Sequence, residues 1–149
     1  MAERRAQAVW QGNLVKGSGT VTGGSGALGS LPVSWSARTE EPGGKTSPEE
    51  LLAAAQAACF AMAFSGNLDK AGSPPERLAV DAACTFDKKP EGGWKVGTMT
   101  INVEGRVHGI SEADFTRIAE ETGQGCPISG AIKGNVQIKV NARLEGGRQ

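Results

Sequence analysis

From Leu51 to Phe64 the chain is apolar almost without interruption, and Gln56 and Cys59 are the only side chains there with polar or reactive groups. The segment ahead of it, Thr46-Ser47-Pro48-Glu49-Glu50, carries the signals of a helix start. Ser47 is an N-cap type, Pro48 stands where no N–H donor is needed, and Glu50 falls three residues after Ser47 as in a capping box. The pattern predicts a central helix over 46–65. A helix apolar on every side must be wrapped by other structure or span a membrane. Fourteen residues are fewer than the ~20 that a bilayer span needs, so the expectation is a helix buried inside a soluble protein.

Before it, Gln7–Trp10 reads as a strand, and Leu14–Thr22 and Ala27–Trp35 alternate loosely around the turn Gly23-Gly24-Ser25-Gly26, which suggests a β-meander over 6–36. Residues 37–45 read as a polar connector holding Arg38, Glu40 and Glu41. After the helix, Gly66-Asn67 and Ala71–Pro75 read as turns, and Arg77–Asp87 and Trp94–Val107 as two strands. In the second of these, Met99, Ile101 and Val103 alternate with Thr98, Thr100, Asn102 and Glu104, one face for the core and one for water, and an antiparallel sheet is expected. Ser111-Glu112-Ala113-Asp114 opens a helix that Gly123-Gln124-Gly125 ends; Cys126-Pro127-Ile128-Ser129 opens a short one; Asn135–Leu144 alternates as a closing strand. The C-terminal α/β part thus covers 76–144, the tail 145–149 is expected to be loose, and the whole reads as one domain.

Charge adds mainly exclusions. Sixteen basic residues balance 16 acidic ones, with no basic stripe of the kind that meets nucleic acid or a membrane surface. The polar N-terminus lacks the apolar core of a signal peptide, so a cytoplasmic location with reduced thiols is expected. Three widely spaced cysteines, Cys59, Cys84 and Cys126, fit neither a secreted disulfide framework nor a zinc site.

Candidate chemistry rests on those thiols. Cys59 is either a small packing side chain or a nucleophile, and burial alone would make it inert by raising its pKa. Cys126 precedes a proline at a helix start, where unpaired N–H groups and the positive dipole end stabilise a thiolate. Cys84 reads as core packing. A Cys–His pair would need His108, the single histidine, beside a thiol. A cation could activate a thiol instead: Arg38, held by Glu49 through a bidentate pair, is the candidate. Glu49 and Cys59 lie ten residues apart, ~15 Å along a helix axis and ~80° around it, so they cannot touch within one straight helix, which leans toward a site shared between two chains. Two glycine motifs carry nothing. Gly17–Gly23 leads into strand-like residues where a dinucleotide loop must open a helix, and Gly44-Lys45-Thr46 lacks the glycine that a phosphate loop needs at Thr39.

Thr46-Ser47-Pro48-Glu49-Glu50-Leu51, eight further residues to Cys59-Phe60, and Gly125-Cys126-Pro127-Ile128-Ser129 together resemble the OsmC/Ohr family, the osmotically inducible protein C and organic hydroperoxide resistance proteins. The order of elements is similar over nearly the whole chain, and Arg38 in Trp35-Ser36-Ala37-Arg38-Thr39-Glu40 stands where the OsmC branch has its arginine. The resemblance implies an α+β fold, antiparallel sheets around a long buried central helix, in an intertwined homodimer with two active sites at its interface. It implies a peroxidase that reduces organic, and more weakly inorganic, hydroperoxides to alcohols in oxidative and osmotic stress. Cys59 would be the peroxidatic thiolate, Cys126 the resolving thiol that forms the Cys59–Cys126 disulfide, Arg38 the residue lowering the pKa of Cys59, and Glu49 the residue orienting Arg38. No cofactor is implied beyond an external dithiol reductant, for example of the lipoyl type. Leu51, Leu52, Met62 and Phe64 would line an apolar pocket. Gln56 takes a place where OsmC proteins often have histidine, from which tuning of the site is expected rather than loss. The competing expectation is a non-catalytic dimeric module that binds an apolar ligand.

Overall fold

A computed structural model describes residues 1–146, in two compact units, one of residues up to Leu51 and one from Leu52 on. The first unit holds three strands, β1 (Ala6–Gln11), β2 (Ser18–Gly23) and β3 (Ser30–Val33), joined as an antiparallel meander in that order. Gly26, at a φ of 84°, allows the turn between β2 and β3. The stretch expected as a polar connector begins instead with a short helix, α1 (Trp35–Thr39), because the Ser34 hydroxyl accepts the Ala37 N–H at 3.2 Å and caps it. Thr46 then returns to the sheet, its N–H bonded to the Pro32 carbonyl at 2.9 Å, and fixes where the central helix starts.

That helix, α2, runs Pro48–Lys70, longer than expected: Gly66 and Asn67, read as a turn, are helical. Ser47 caps it through the Glu50 N–H at 3.1 Å, but the capping box is only half made, since the Glu50 carboxylate accepts the Thr46 hydroxyl. At 23 residues it is long and apolar enough, by length and composition, to cross a membrane, which removes the length argument against a span. Its packing gives a better one. Gln56, Phe60, Phe64 and Leu68, spaced four apart, are all fully buried in the core of the second unit. The helix is not buried all round, however: Ala54, Ala55, Ala58 and Met62 are exposed, Met62 at 71%.

The remaining elements of the second unit are β4 (Arg77–Lys88), β5 (Trp94–Arg106), α3 (Glu112–Gly125), α4 (Pro127–Ile132) and β6 (Gln137–Leu144). Ser111 caps α3 through the Asp114 N–H. β5 is central in the sheet β4-β5-β6 and alternates as predicted, Met99, Ile101 and Val103 inward. β4 and β5 pair antiparallel, but β5 and β6 pair parallel, a correction to the expected all-antiparallel sheets. The reason is the crossover: α3 and α4 carry the chain back to the start of β5 before β6 begins, which only a parallel partner can use. Phe64 lies between Phe60 and Phe115 with tilted rings, at centroid distances of 5.3 and 5.1 Å, so α2 and α3 share one aromatic core. Residues 147–149 of the tail expected to be loose lie outside the described residues, and Glu145 is held, its N–H on the Gly105 carbonyl and its carboxylate on Arg106.

Candidate active site

The four residues singled out by sequence form two pairs. In the first unit, α1 presents Arg38 to Glu49 in the first turn of α2. Arg38 Nε lies 3.0 Å from Glu49 Oε1 and Nη2 lies 2.9 Å from Oε2, a two-pronged ion pair. The Glu49 side chain is only 8% exposed, so the guanidinium is the charge that makes its burial tolerable. An apolar groove of ≈ 430 Å³ adjoins the pair, walled by Trp10, Leu14, Val33, Trp35 and Leu51.

In the second unit, Cys59 on α2 and Cys126 at the junction of α3 and α4 come close enough for each thiol to influence the ionisation of the other, and no disulfide joins them. Cys126 ends α3 and starts α4 at once: its N–H is bonded to the Thr122 carbonyl at 2.9 Å, and Pro127 follows at the first helical position. The opening N–H groups of α4 then face the two sulfurs, Ile128 toward Cys59 and Ser129 toward Cys126.

The two thiols differ in charge and access. Burial pushes the Cys59 thiol up, and its bond to Cys126 adds to that, against the lowering effect of the Ile128 N–H. Burial also opposes ionisation of Cys126, but there hydrogen bonds win. The Ser129 hydroxyl and N–H, the Cys59 thiol and the Gln56 amide together hold Cys126 below the ordinary thiol range. Of the two thiols, then, Cys126 is the one whose ionisation its surroundings favour, and Cys59 the one whose ionisation they oppose. Access runs the other way, since Cys126 is 3% exposed and Cys59 is only partly covered.

Two further contributors stand beside the four: Gln56, from which only an unspecified tuning of the site is expected by sequence, and Ser129, which has no role assigned there. Gln56 Nε2 lies 3.3 Å from Cys126 Sγ and 3.0 Å from Ser129 Oγ, and Ser129 Oγ lies 3.1 Å from the same sulfur. The signal for Gln56 was its isolation as an amide in an apolar helix, and for Ser129 its place in the Cys-Pro-Ile-Ser motif. Phe64, expected to line a pocket, is core. His108 is exposed and bonded to Glu76 at 2.8 Å, so the arrangement gives a Cys–His pair no support. Cys84 packs against the core of the second unit, half buried. Among the described residues no group of three or more His, Cys, Asp or Glu side chains gathers as a metal site.

Residues 41–141 match the family model described as OsmC-like protein. The chain belongs to the OsmC family. Among its relatives, Peroxiredoxin OsmC of Escherichia coli (strain K12) is 36% identical over 135 residues, 91% of this chain and 93% of that protein. The Organic hydroperoxide resistance protein of Xanthomonas axonopodis pv. citri is 32% identical over 100 residues, 66% of this chain and 67% of that one. Among solved structures, an organic hydroperoxide resistance protein OsmC from Legionella pneumophila superposes with a TM-score of 0.74 at 26% identity, covering 96% of this chain and 99% of that one. OhrB of Bacillus subtilis superposes with a TM-score of 0.72 at 23% identity over 93% and 98%, a likeness of OsmC fold alone.

Proposed function

We propose that the protein is a thiol peroxidase that reduces organic hydroperoxides to alcohols through Cys59 and Cys126. The observation that carries this reading is the meeting of the two thiols, 67 positions apart in sequence, with opposite access and opposite charge preference. Membership of the family, with relatives named peroxiredoxin and organic hydroperoxide resistance protein, supports it.

Cys59, the accessible sulfur, reacts first. As a thiolate it attacks the terminal oxygen of R–O–OH; an S–O bond forms, the O–O bond breaks, and RO⁻ leaves and takes a proton to become the alcohol. Cys59 is then a sulfenic acid. Cys126 displaces its hydroxide as water and a disulfide forms, which an external dithiol reduces by exchange. Burial works against a thiolate at Cys59, so a cation would help the first step, and Arg38, oriented by Glu49, is that cation in this proposal. The apolar groove beside Arg38 suits the carbon body of an organic hydroperoxide better than hydrogen peroxide, which has none. The proposal includes a homodimer, whose second chain completes the site, and a reducing cytoplasm as the place of work. Cys59→Ser should abolish turnover of cumene hydroperoxide with dihydrolipoamide as reductant; full turnover by that variant would sink the reading.

The same groove favours one other reading, a non-catalytic module that binds an apolar ligand. Thiol titration separates the two. A Cys59 that never enters a disulfide with Cys126 after peroxide treatment supports the binding module.

A further inference from the structure

We propose that Gln56, together with Ser129, is a positioning residue for the resolving step, holding the Cys126 sulfur as a hydrogen-bond acceptor aimed at Cys59 before any peroxide arrives. This rests on the peroxidase reading above and assigns a role in it to a side chain that neither attacks nor is attacked. Gln56 Nε2, Ser129 Oγ and Cys126 Sγ form a closed triangle with sides of 3.3, 3.0 and 3.1 Å, fully buried. Lysine or arginine could stabilise the sulfur by charge, but an amide does so by direction alone, and it stays neutral in the core.

The other end of the amide shows what it is there for. Gln56 Oε1 is buried with no hydrogen-bond partner among the described residues, a cost that a methionine or leucine at the same place would avoid. The amide is therefore explained by its donor end, whose Nε2 reaches both Ser129 Oγ and Cys126 Sγ. Gln56 also sits three residues before Cys59 on α2, so one face of one helix carries both the attacked sulfur and the group that holds its attacker. Phe60, next on that stripe and fully buried, keeps the face from turning.

In the resolving step the Cys126 thiolate attacks the sulfur of the Cys59 sulfenic acid. The S–S bond forms, the S–O bond breaks, and hydroxide leaves and takes a proton to become water. The clamp fixes the position of the Cys126 sulfur and favours its thiolate at the start of that step. After disulfide formation the sulfur has lost its charge, yet Gln56 retains Ser129 as acceptor, so the clamp survives the cycle. The titratable groups around Cys126 are Cys59 on α2 and, along the cleft beside it, Lys70 of α2 and Glu121 of α3.

The test separates the two half-steps in rapid mixing: Cys59 sulfenic acid trapped with dimedone and weighed, and the disulfide followed by loss of titratable thiols. In Gln56→Met the sulfenic acid should form within about threefold of the native rate, while disulfide formation should fall about tenfold or more and shift to higher pH. Sulfinic acid should then build up at Cys59. Ser129→Ala removes the second arm without disturbing the helix face and should slow the same half-step; Gln56→His, which keeps a ring N–H donor, should restore part of it. Unchanged disulfide formation in both Gln56→Met and Ser129→Ala overturns the clamp, as does equal slowing of both half-steps. Absence of Cys59 sulfenic acid in the native protein overturns the peroxidase reading itself, an outcome distinct from either.

Discussion

Glu49 and Arg38 were legible as a pair because the chain states the need: a carboxylate in the first turn of an apolar helix, and one arginine shortly upstream. The effect proposed for the pair on Cys59 is one of charge. Cys59 is pushed up by burial and by its neighbour sulfur, so without a cation its thiolate becomes plentiful only as pH climbs above the ordinary thiol value of about 8.5. In Arg38→Met the peroxide-dependent oxidation of Cys59 should therefore be slow at neutral pH and rise steadily into the alkaline range, while the native protein rises earlier and flattens. Arg38→Lys should rescue little, since an ammonium cannot make the two-pronged contact with Glu49. A native profile that superposes on that of Arg38→Met would show that Arg38 does not tune the thiol. Gln56, by contrast, could not be given a role from sequence. Its partners Cys126 and Ser129 lie 70 and 73 positions away, and only the packing of α4 against α2 reveals that an amide in an alanine-rich run has anything to hold.

Helices and strands showed their existence more readily than their ends or directions. The alternation in β5 and β6 assigns their faces but is silent on direction, since inward and outward residues alternate the same way in parallel and antiparallel pairs. α1 is a single capped turn, too short to leave a periodic trace, and the glycine at 66 read as a stop although nothing crowds it or bends the helix there. Glycine also marks where elements touch. A Cβ on Gly123 of α3 would stand 2.2 Å from Val140 Cγ2 of β6, whereas one on Gly130 of α4 would meet nothing within 4 Å. Alanine for glycine inside a helix gains up to about 1 kcal/mol, and overpacking costs about 1–3 kcal/mol. Gly130→Ala should therefore raise stability, and Gly123→Ala should lower it by up to about 2 kcal/mol once the full helical gain is set against the overpacking. Urea unfolding at constant slope measures both. Equal stabilisation by the two would mean that α3 does not seat tightly on β6.

The exposed apolar surface of a single chain is the ground for predicting a dimer. Both units contribute: in the first, β1 is exposed along its whole length and Val9, Trp10, Leu14, Val15 and Leu28 are open; in the second, Ala54, Ala55, Ala58 and Met62 make an uncovered strip of α2. Here the sequence was informative in an unexpected way. A helix apolar on every side implies a wrapping by other structure without saying which; here one side is wrapped by the second unit and the other is bare, a pattern that a second chain would satisfy. Patches of this extent on a soluble protein mark interaction sites, and a stable pair needs about 1,200–2,000 Å² of buried surface in total. The expected outcome is a dimer of twice the 15.3 kDa chain mass in sedimentation at micromolar concentration. Met62, 71% exposed in the single chain, is the point to press. If the bare strip of α2 is the interface, Met62→Glu places a charge in it, should shift the protein toward monomer, and should lower peroxidase activity in step with the loss of dimer. A variant that stays dimeric and fully active would move the interface away from α2, and a native protein that sediments as a monomer would leave the site to be completed within one chain.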